Sequence, residues 1–371
     1  MTVTKGLEGI VATTSSVSSI IDGVLTYRGY NIDDLAENAT YEEVAYLLWY
    51  GKLPNRAELD ELVEQLSANA SIPEAVMNLL RNIPKDANSM AALRSAVSLL
   101  SLYDKEAHDV GLEAATRIAI RLQAKIPTIV AAFDRLRKGL EPVVPKANAT
   151  VAENFLYMLT GKQPDKVAIE ALDKALVLHA DHELNASTFA ARVTVATLSD
   201  MYSGVTSAIG ALRGPLHGGA NEEVMAMLED IGTMENTEKY IQAKLDNKEK
   251  VMGFGHRVYK NGDPRAKHLQ KMSQELGKLT GNMNWYNMSI KIEEMVTGMK
   301  GLKPNVDFYS ASVYTSLEIP RDLFTPIFAI SRISGWTAHI LEQYENNRLI
   351  RPRAEYVGPV DQKVVSIDQR G

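Results

Sequence analysis

The chain has 371 residues, with 40 Lys and Arg against 46 Asp and Glu for a formal net charge of −6, which argues against a nucleic-acid binder, whose electrostatic footprint is basic. Hydrophobic residues make up 45% and charged residues 23%, a globular composition with enough chain for about two domains and a cleft between them. Cysteine is absent, which removes disulfides, thiolate metal sites and every mechanism that opens with a cysteine nucleophile. The N-terminal stretch has no signal-like apolar run, and no later segment reaches the roughly 18 uncharged apolar residues of a membrane span. A cytoplasmic protein without a membrane partner is the expectation.

Residues 9–30 are rich in Val, Ile, Thr and Ser with a turn signal at Asp22-Gly23, and predict a short β-hairpin. From Tyr41 onward apolar residues recur at helical spacing, first Val44, Leu47 and Leu48, then Leu59, Leu62, Val63 and Leu66 after Pro54-Asn55, which predicts amphipathic helices facing a core. Further helices are expected over 74–82, 90–102, 113–125 and 127–138, the last pair separated by a kink at Pro127. After Pro142 and Pro145 a helix opens near Val151. Residues 165–211, rich in Ala and Leu, read as a buried helical hairpin interrupted around Asn185 and Gly204. From Glu222 to Lys300 the chain is more charged and Met-rich, then turns apolar over 324–341 and ends in a polar tail carrying Arg348, Arg351 and Arg353. A chain that leaves its core, builds a smaller unit and returns has two crossings that suit a hinge.

Of the 7 histidines, four lie in unusual local sequence. His179 and His182 fall in LHADHELN, three apart on one predicted helix face. That spacing suits a metal only with a third ligand, and none is visible, so a core or substrate-binding role is the better reading and no metal is expected. His217 stands in GPLHGGAN before a helical run. At a helix N-terminus the dipole keeps an imidazole neutral, able to donate to a developing enolate; an exposed histidine in a glycine turn fits the same residues. His256 lies in GFGHRVYK, where the third glycine of a dinucleotide fingerprint is missing and no strand precedes. That segment continues through Arg257, Lys260, Arg265 and Lys267, a cationic cluster suited to phosphate or carboxylate. Asp307, in PNVDFY, is an acid in an apolar setting, where partial burial makes a better base and a helix N-cap is the other reading. Arg332, in the apolar FAISRISGW, needs an anionic partner if buried, and a ligand carboxylate would serve.

Together LHADHELNAS, GPLHGGANEEV, GFGHRVYKNGDPRA, PNVDFYSASVY and ISRISGW with RPRAEY resemble the citrate synthase family, in its short bacterial and archaeal form, across essentially the whole chain. The resemblance implies an all-α fold of two domains with a short N-terminal β-hairpin: a large helical domain (1–218 and 323–371) and a smaller, mobile helical domain (219–322). It implies a tricarboxylic acid cycle acyltransferase that condenses acetyl-CoA with oxaloacetate and hydrolyses the product to citrate and CoA, with no metal and no permanently bound cofactor. His217 is then the residue that stabilises the enol, Asp307 the base, and His256 the group that polarises the oxaloacetate carbonyl. His182, Arg265 and Arg332 bind oxaloacetate, and Arg351 reaches into the partner subunit's site of a homodimer. Arg257, Lys260 and Lys267 are assigned to CoA from charge alone. A 2-methylcitrate synthase using propionyl-CoA fits the same residues, since one methylene is worth only about 1 to 3 kcal/mol, and a non-catalytic helical binding protein is the reading from another class.

Overall fold

The computed structural model describes residues 5–7, 9–256, 258–259 and 261–370. Among them the regular structure is sixteen α-helices and one small antiparallel sheet. Strands β1 (Ser18–Ile21), β2 (Val24–Tyr27) and β3 (Tyr30–Asn31) pair in sequence order. The Asp22-Gly23 turn joins the first two with positive φ at both positions, 51° and 79°, the geometry of a tight hairpin.

The early helices begin where their caps dictate. In α2 (Tyr41–Tyr50) Thr40 and Glu43 form a reciprocal capping box, and in α3 (Arg56–Asn69) Asn55 and Glu58 repeat it, satisfying backbone N–H groups that would otherwise be orphaned. Helices α4 (Glu74–Asn82) and α5 (Ser89–Leu100) match the expected spans. The break expected at Pro127 does not occur: a single helix, α6, runs from Leu112 to Arg137 through the proline. The lost backbone bond is outweighed because residues on both sides of Pro127, from Ile126 to Asp134, are buried together.

After α7 (Val151–Thr160), the 165–211 stretch folds as α8 (Lys166–His179), α9 (Ala186–Val195) and α10 (Met201–Leu212). The break at Asn185 is real, since Asn185 caps α9 through Ser187 and Thr188. Gly204 is instead inside α10, where a Cβ would lie 2.6 Å from Val195. Its missing side chain lets α9 and α10 approach closely rather than ending a helix.

Helices α11 (Ala220–Ile231), α12 (Met234–Asp246), α13 (Ala266–Thr280), α14 (Asn284–Lys300) and α15 (Val306–Ser316) pack chiefly on one another. They meet the rest of the chain mainly where α13 and α15 touch α8 and where α11 touches α16. Helix α16 (Phe324–Glu345) is buried along nearly its whole length and packs on α2, α6, α8, α9 and α10. No helix among the described residues is long and apolar enough to cross a membrane. The tail from 351 to 370 is exposed throughout.

Candidate active site

A cavity of about 710 Å³ opens where the loop after α8, the turn before α11, the 251–265 loop, the start of α15 and the middle of α16 converge. His182, His217, His256, Arg265, Asp307 and Arg332 all line it. Leu7, Ile10 and Ile20 from the N-terminal segment close one side.

His217 is set by the turn between α10 and α11, its own N–H donating to Gly214 O at 2.9 Å. Its Nε2 accepts from the backbone N–H of Ser187 at 3.3 Å and lies 2.8 Å from the Ser187 hydroxyl. Trp336 Nε1 donates to that hydroxyl at 3.0 Å. Because Nε2 is an acceptor, the ring proton sits on Nδ1. Burial and then the nearby Arg332 charge push the His217 pKa down to about 4, so the imidazole is neutral at physiological pH. The exposed-turn reading of this histidine is thereby replaced by an anchored, neutral hydrogen-bond donor.

Asp307 is not the cap of α15. Asn305 is, its side chain accepting from Asp307 N at 3.0 Å, which leaves the Asp307 carboxylate free to line the cavity. Desolvation, with a smaller push from Asp263 and opposed by Arg265 and Arg332, raises its pKa from 3.8 to about 6. A carboxylate so placed is still ionised at neutral pH and more basic than an exposed one.

The loop carrying His256 depends on Gly253, which has φ +82° and would place a Cβ 2.8 Å from both Phe308 and Val224. His256 Nδ1 accepts from the N–H groups of Val258 and Tyr259 at 3.0 and 3.3 Å. Its proton is therefore on Nε2. Burial, then Arg265, lowers its pKa. His182 meets the Tyr259 hydroxyl at 3.0 Å, and burial, followed by Arg265, Arg332 and His256, keeps it well below the ordinary histidine value.

Two buried arginines supply positive charge. Arg265, 2% exposed, pairs with Asp263 through two parallel bonds, Nε to Oδ1 at 2.9 Å and Nη2 to Oδ2 at 2.8 Å. Although burial opposes it, this pair raises the Arg265 pKa. Arg332 is 1% exposed and donates only from Nε, to His179 O at 2.7 Å, with its guanidinium 4.6 Å from the Phe328 ring centre. Burial drives its pKa down to about 10. It makes no ion pair among the described residues, and the buried Asp181 is bonded instead to Ser18 and to His339 Nε2. A buried cation whose outer nitrogens face a cavity with no protein partner among the described residues is costly unless an anion joins it there.

Other expected residues lie elsewhere. Arg351 is exposed and lines a separate cavity of about 510 Å³ beside the first. Lys267 pairs with Asp33 at 2.7 Å on α1 (Ile32–Asn38), outside the main cavity. Arg257 and Lys260 lie outside the described residues. His179 is a core residue: it is 0% exposed, its Nδ1 donates to Ala175 O at 2.7 Å, and burial pushes its pKa down to about 3. No group of three metal-ligating side chains occurs among the described residues.

Sequence reasoning missed Ser187, Trp336, Asp263 and Tyr259. Asp263 had a local signal, two residues before Arg265 in the same loop. Ser187 and Trp336 had no chemical signal of their own, because Ser187 reaches His217 from α9 and Trp336 reaches Ser187 from α16.

A family model described as "Citrate synthase, C-terminal domain" matches residues 6–353. The chain is 65% identical to citrate synthase 2 of Bacillus subtilis (strain 168) over 371 residues, 100% of both chains. It is 43% identical to 2-methylcitrate synthase 2 of Corynebacterium glutamicum over 99% of this chain and 98% of that one. Among solved structures, the ternary complex of carboxymethyl coenzyme A and oxaloacetate with citrate synthase from Thermoplasma acidophilum aligns with a TM-score of 0.92 at 36% identity, covering 100% of each chain.

Proposed function

The chain belongs to the citrate synthase family and condenses acetyl-CoA with oxaloacetate and water to give citrate and CoA; from that premise we propose how His217, Asp307 and His256 divide the chemistry. Asp307 takes a proton from the thioester methyl while Nδ1–H of His217 donates to the thioester oxygen as negative charge develops there. A thioester methyl is a weak carbon acid, and a carboxylate succeeds only if the enolate oxygen is stabilised at the same moment. The enol carbon then attacks the ketone of oxaloacetate. That ketone oxygen becomes negative and meets Nε2–H of His256. Water finally cleaves the citryl thioester, releasing CoA.

Oxaloacetate carries two carboxylates, and Arg265 and Arg332 supply two buried cations, with His182 beside them. The observation that carries this reading is Arg332, buried and paired with no carboxylate among the described residues, in the same cavity as a base whose pKa is raised to about 6. This arrangement suits a dianionic substrate placed next to a proton-abstraction site.

The proposed domains, 1–218 with 323–371 and 219–322, divide the site evenly. His182, His217 and Arg332 fall in the first; His256, Arg265 and Asp307 fall in the second. Enolisation needs the two halves together and water excluded, and hydrolysis needs water afterwards, so hinged closure of the small domain is part of the mechanism. The homodimer is likewise our reading. The exposed Arg351 lines a cavity that lacks the reacting groups, and exposed Leu102 and Leu198, 77% and 58% accessible, mark apolar surface near the ends of α5 and α9. In that dimer Arg351 completes the partner's oxaloacetate site. Acetyl-CoA and oxaloacetate are intracellular metabolites, which supports a cytoplasmic placement.

Thiol release from acetyl-CoA and propionyl-CoA, each with and without oxaloacetate and without added metal, tests the reading. Oxaloacetate-dependent release with acetyl-CoA preferred is expected. A propionyl-CoA preference means 2-methylcitrate synthesis, and oxaloacetate binding with no thiol release means a scaffold.

A further inference from the structure

Tyr259 touches each of three residues assigned to oxaloacetate without itself lining the cavity. Its hydroxyl is hydrogen-bonded to His182 Nε2 at 3.0 Å. Its ring lies 4.6 Å from the His256 ring and 5.5 Å from the His182 ring, centre to centre, and the Arg265 guanidinium carbon sits 5.9 Å from the Tyr259 ring centre. Its backbone N–H is one of the two that fix the His256 tautomer. The side chain is 4% exposed, behind the cavity wall, in the same loop as His256 and Arg265.

A buried aromatic ring explains packing alone, and phenylalanine would pack as well. The hydroxyl is the informative atom. A buried phenol needs a hydrogen-bond partner, and here the partner is not a backbone carbonyl but the ring nitrogen of a residue facing the cavity. His182 stands in the loop after α8, whereas Tyr259 stands in the 251–265 loop. The bond therefore ties the two halves of the oxaloacetate site to each other. Burial holds the phenol above its ordinary pKa, so it keeps its proton across the working pH range.

We propose that Tyr259 is a positioning residue for oxaloacetate, fixing His182 through its hydroxyl and holding His256 and Arg265 in register from behind the cavity wall. Affinity gained in this way is preorganisation: the imidazole loses its rotational freedom before the substrate arrives rather than at the substrate's expense. The inference rests on the assignment of His182, His256 and Arg265 to oxaloacetate.

The test is steady-state kinetics on the full-length enzyme with Tyr259→Phe, His182→Ala and the double variant. Tyr259→Phe keeps the ring and removes only the hydroxyl, so it is expected to raise KM for oxaloacetate about tenfold, the size of one lost hydrogen bond, with kcat and KM for acetyl-CoA within about twofold. In the His182→Ala background the same change is expected to have no further effect, because its route is already gone. A merely structural tyrosine would lower the melting temperature and the active fraction while leaving KM for oxaloacetate in place. If His182→Ala raises that KM and Tyr259→Phe leaves it unchanged or lowers it, the positioning role is overturned while the site assignment stands. If neither variant moves it, the oxaloacetate assignment itself falls, and the role of Tyr259 with it.

Discussion

Ser187 meets His217 twice, its backbone N–H reaching Nε2 at 3.3 Å and its hydroxyl lying 2.8 Å from the same nitrogen. The pair decides which nitrogen carries the proton, because an imidazole nitrogen that accepts from a backbone N–H cannot itself be protonated in the neutral ring. Ser187 is in turn held by Trp336, which donates to its hydroxyl at 3.0 Å, and by Asn185, whose Oδ1 shares its backbone N–H at 3.2 Å. In the proposed role of His217, a donor thus fixed in direction costs no reorganisation when charge develops on the thioester oxygen.

Ser187→Ala retains the backbone bond and loses the hydroxyl. The expected result is a fall in kcat of about tenfold with oxaloacetate affinity unchanged, since the serine acts only on His217, which is proposed to serve the other substrate. Rates of thiol release together with equilibrium binding of oxaloacetate check this. A rise in oxaloacetate KM without loss of kcat would place Ser187 in the wrong half of the reaction.

The acid limb of the pH profile should belong to Asp307. Its pKa is raised from 3.8 to about 6, so the carboxylate is the active form above that value and is progressively protonated below it. The expected kcat/KM for acetyl-CoA is flat above about pH 7 and falls about tenfold per pH unit well below pH 6. His217, its pKa pushed down to about 4, stays neutral near that midpoint and does not set the limb. Asp307→Ala should nearly abolish condensation while oxaloacetate still binds, as isothermal titration would show.

Most of the site was legible because its residues carry chemistry in distinctive local sequence. His217 between glycines and Arg332 in an apolar run each announce an oddity that needs a physical reason. The helices were legible for a different reason: capping residues such as Asn55 and Asn185 act within one turn, so their signal is contained in neighbouring positions. Gly204 and Pro127 misled because local propensity was overruled at a distance, by the close approach of Val195 in one case and by burial of α6 on both sides of the proline in the other. Ser187, Trp336 and Tyr259 stand inside the distinctive segments but carry no chemical signal of their own there, since the bonds that give them a role, Ser187 to His217, Trp336 to Ser187 and Tyr259 to His182, cross between elements.

Arg332 separates binding from stability. It is buried with a lowered pKa, and among the described residues only its Nε has a protein acceptor. Replacing a buried charge that lacks a close partner with an apolar side chain of similar length is often neutral or stabilising. Arg332→Met is therefore expected to raise oxaloacetate KM by about a hundredfold or more while the melting temperature stays level or increases. Loss of thermal stability alongside the loss of affinity would show that the arginine is a structural element of α16 rather than a cation kept for a ligand.

His179 predicts how the fold responds to acid. It is fully buried, its Nε2 has no hydrogen-bond partner among the described residues, and its pKa is pushed from 6.5 down to about 3. Between those two values the unfolded chain binds a proton at this position that the folded chain does not. Stability is therefore complete above pH 6.5 and falls as the pH drops, by up to about 1.4 kcal/mol per pH unit from this one group. His179→Leu removes both the titration and the orphaned nitrogen, at similar size and with the Phe328 contact kept apolar. The expected outcome is near-equal unfolding free energy for the two proteins at pH 7.5 and a growing advantage for the variant from pH 6 to 5, measured by urea titration at each pH. Parallel pH curves would mean that His179 is protonated in the folded state, and would overturn its assignment to the neutral core beneath Arg332.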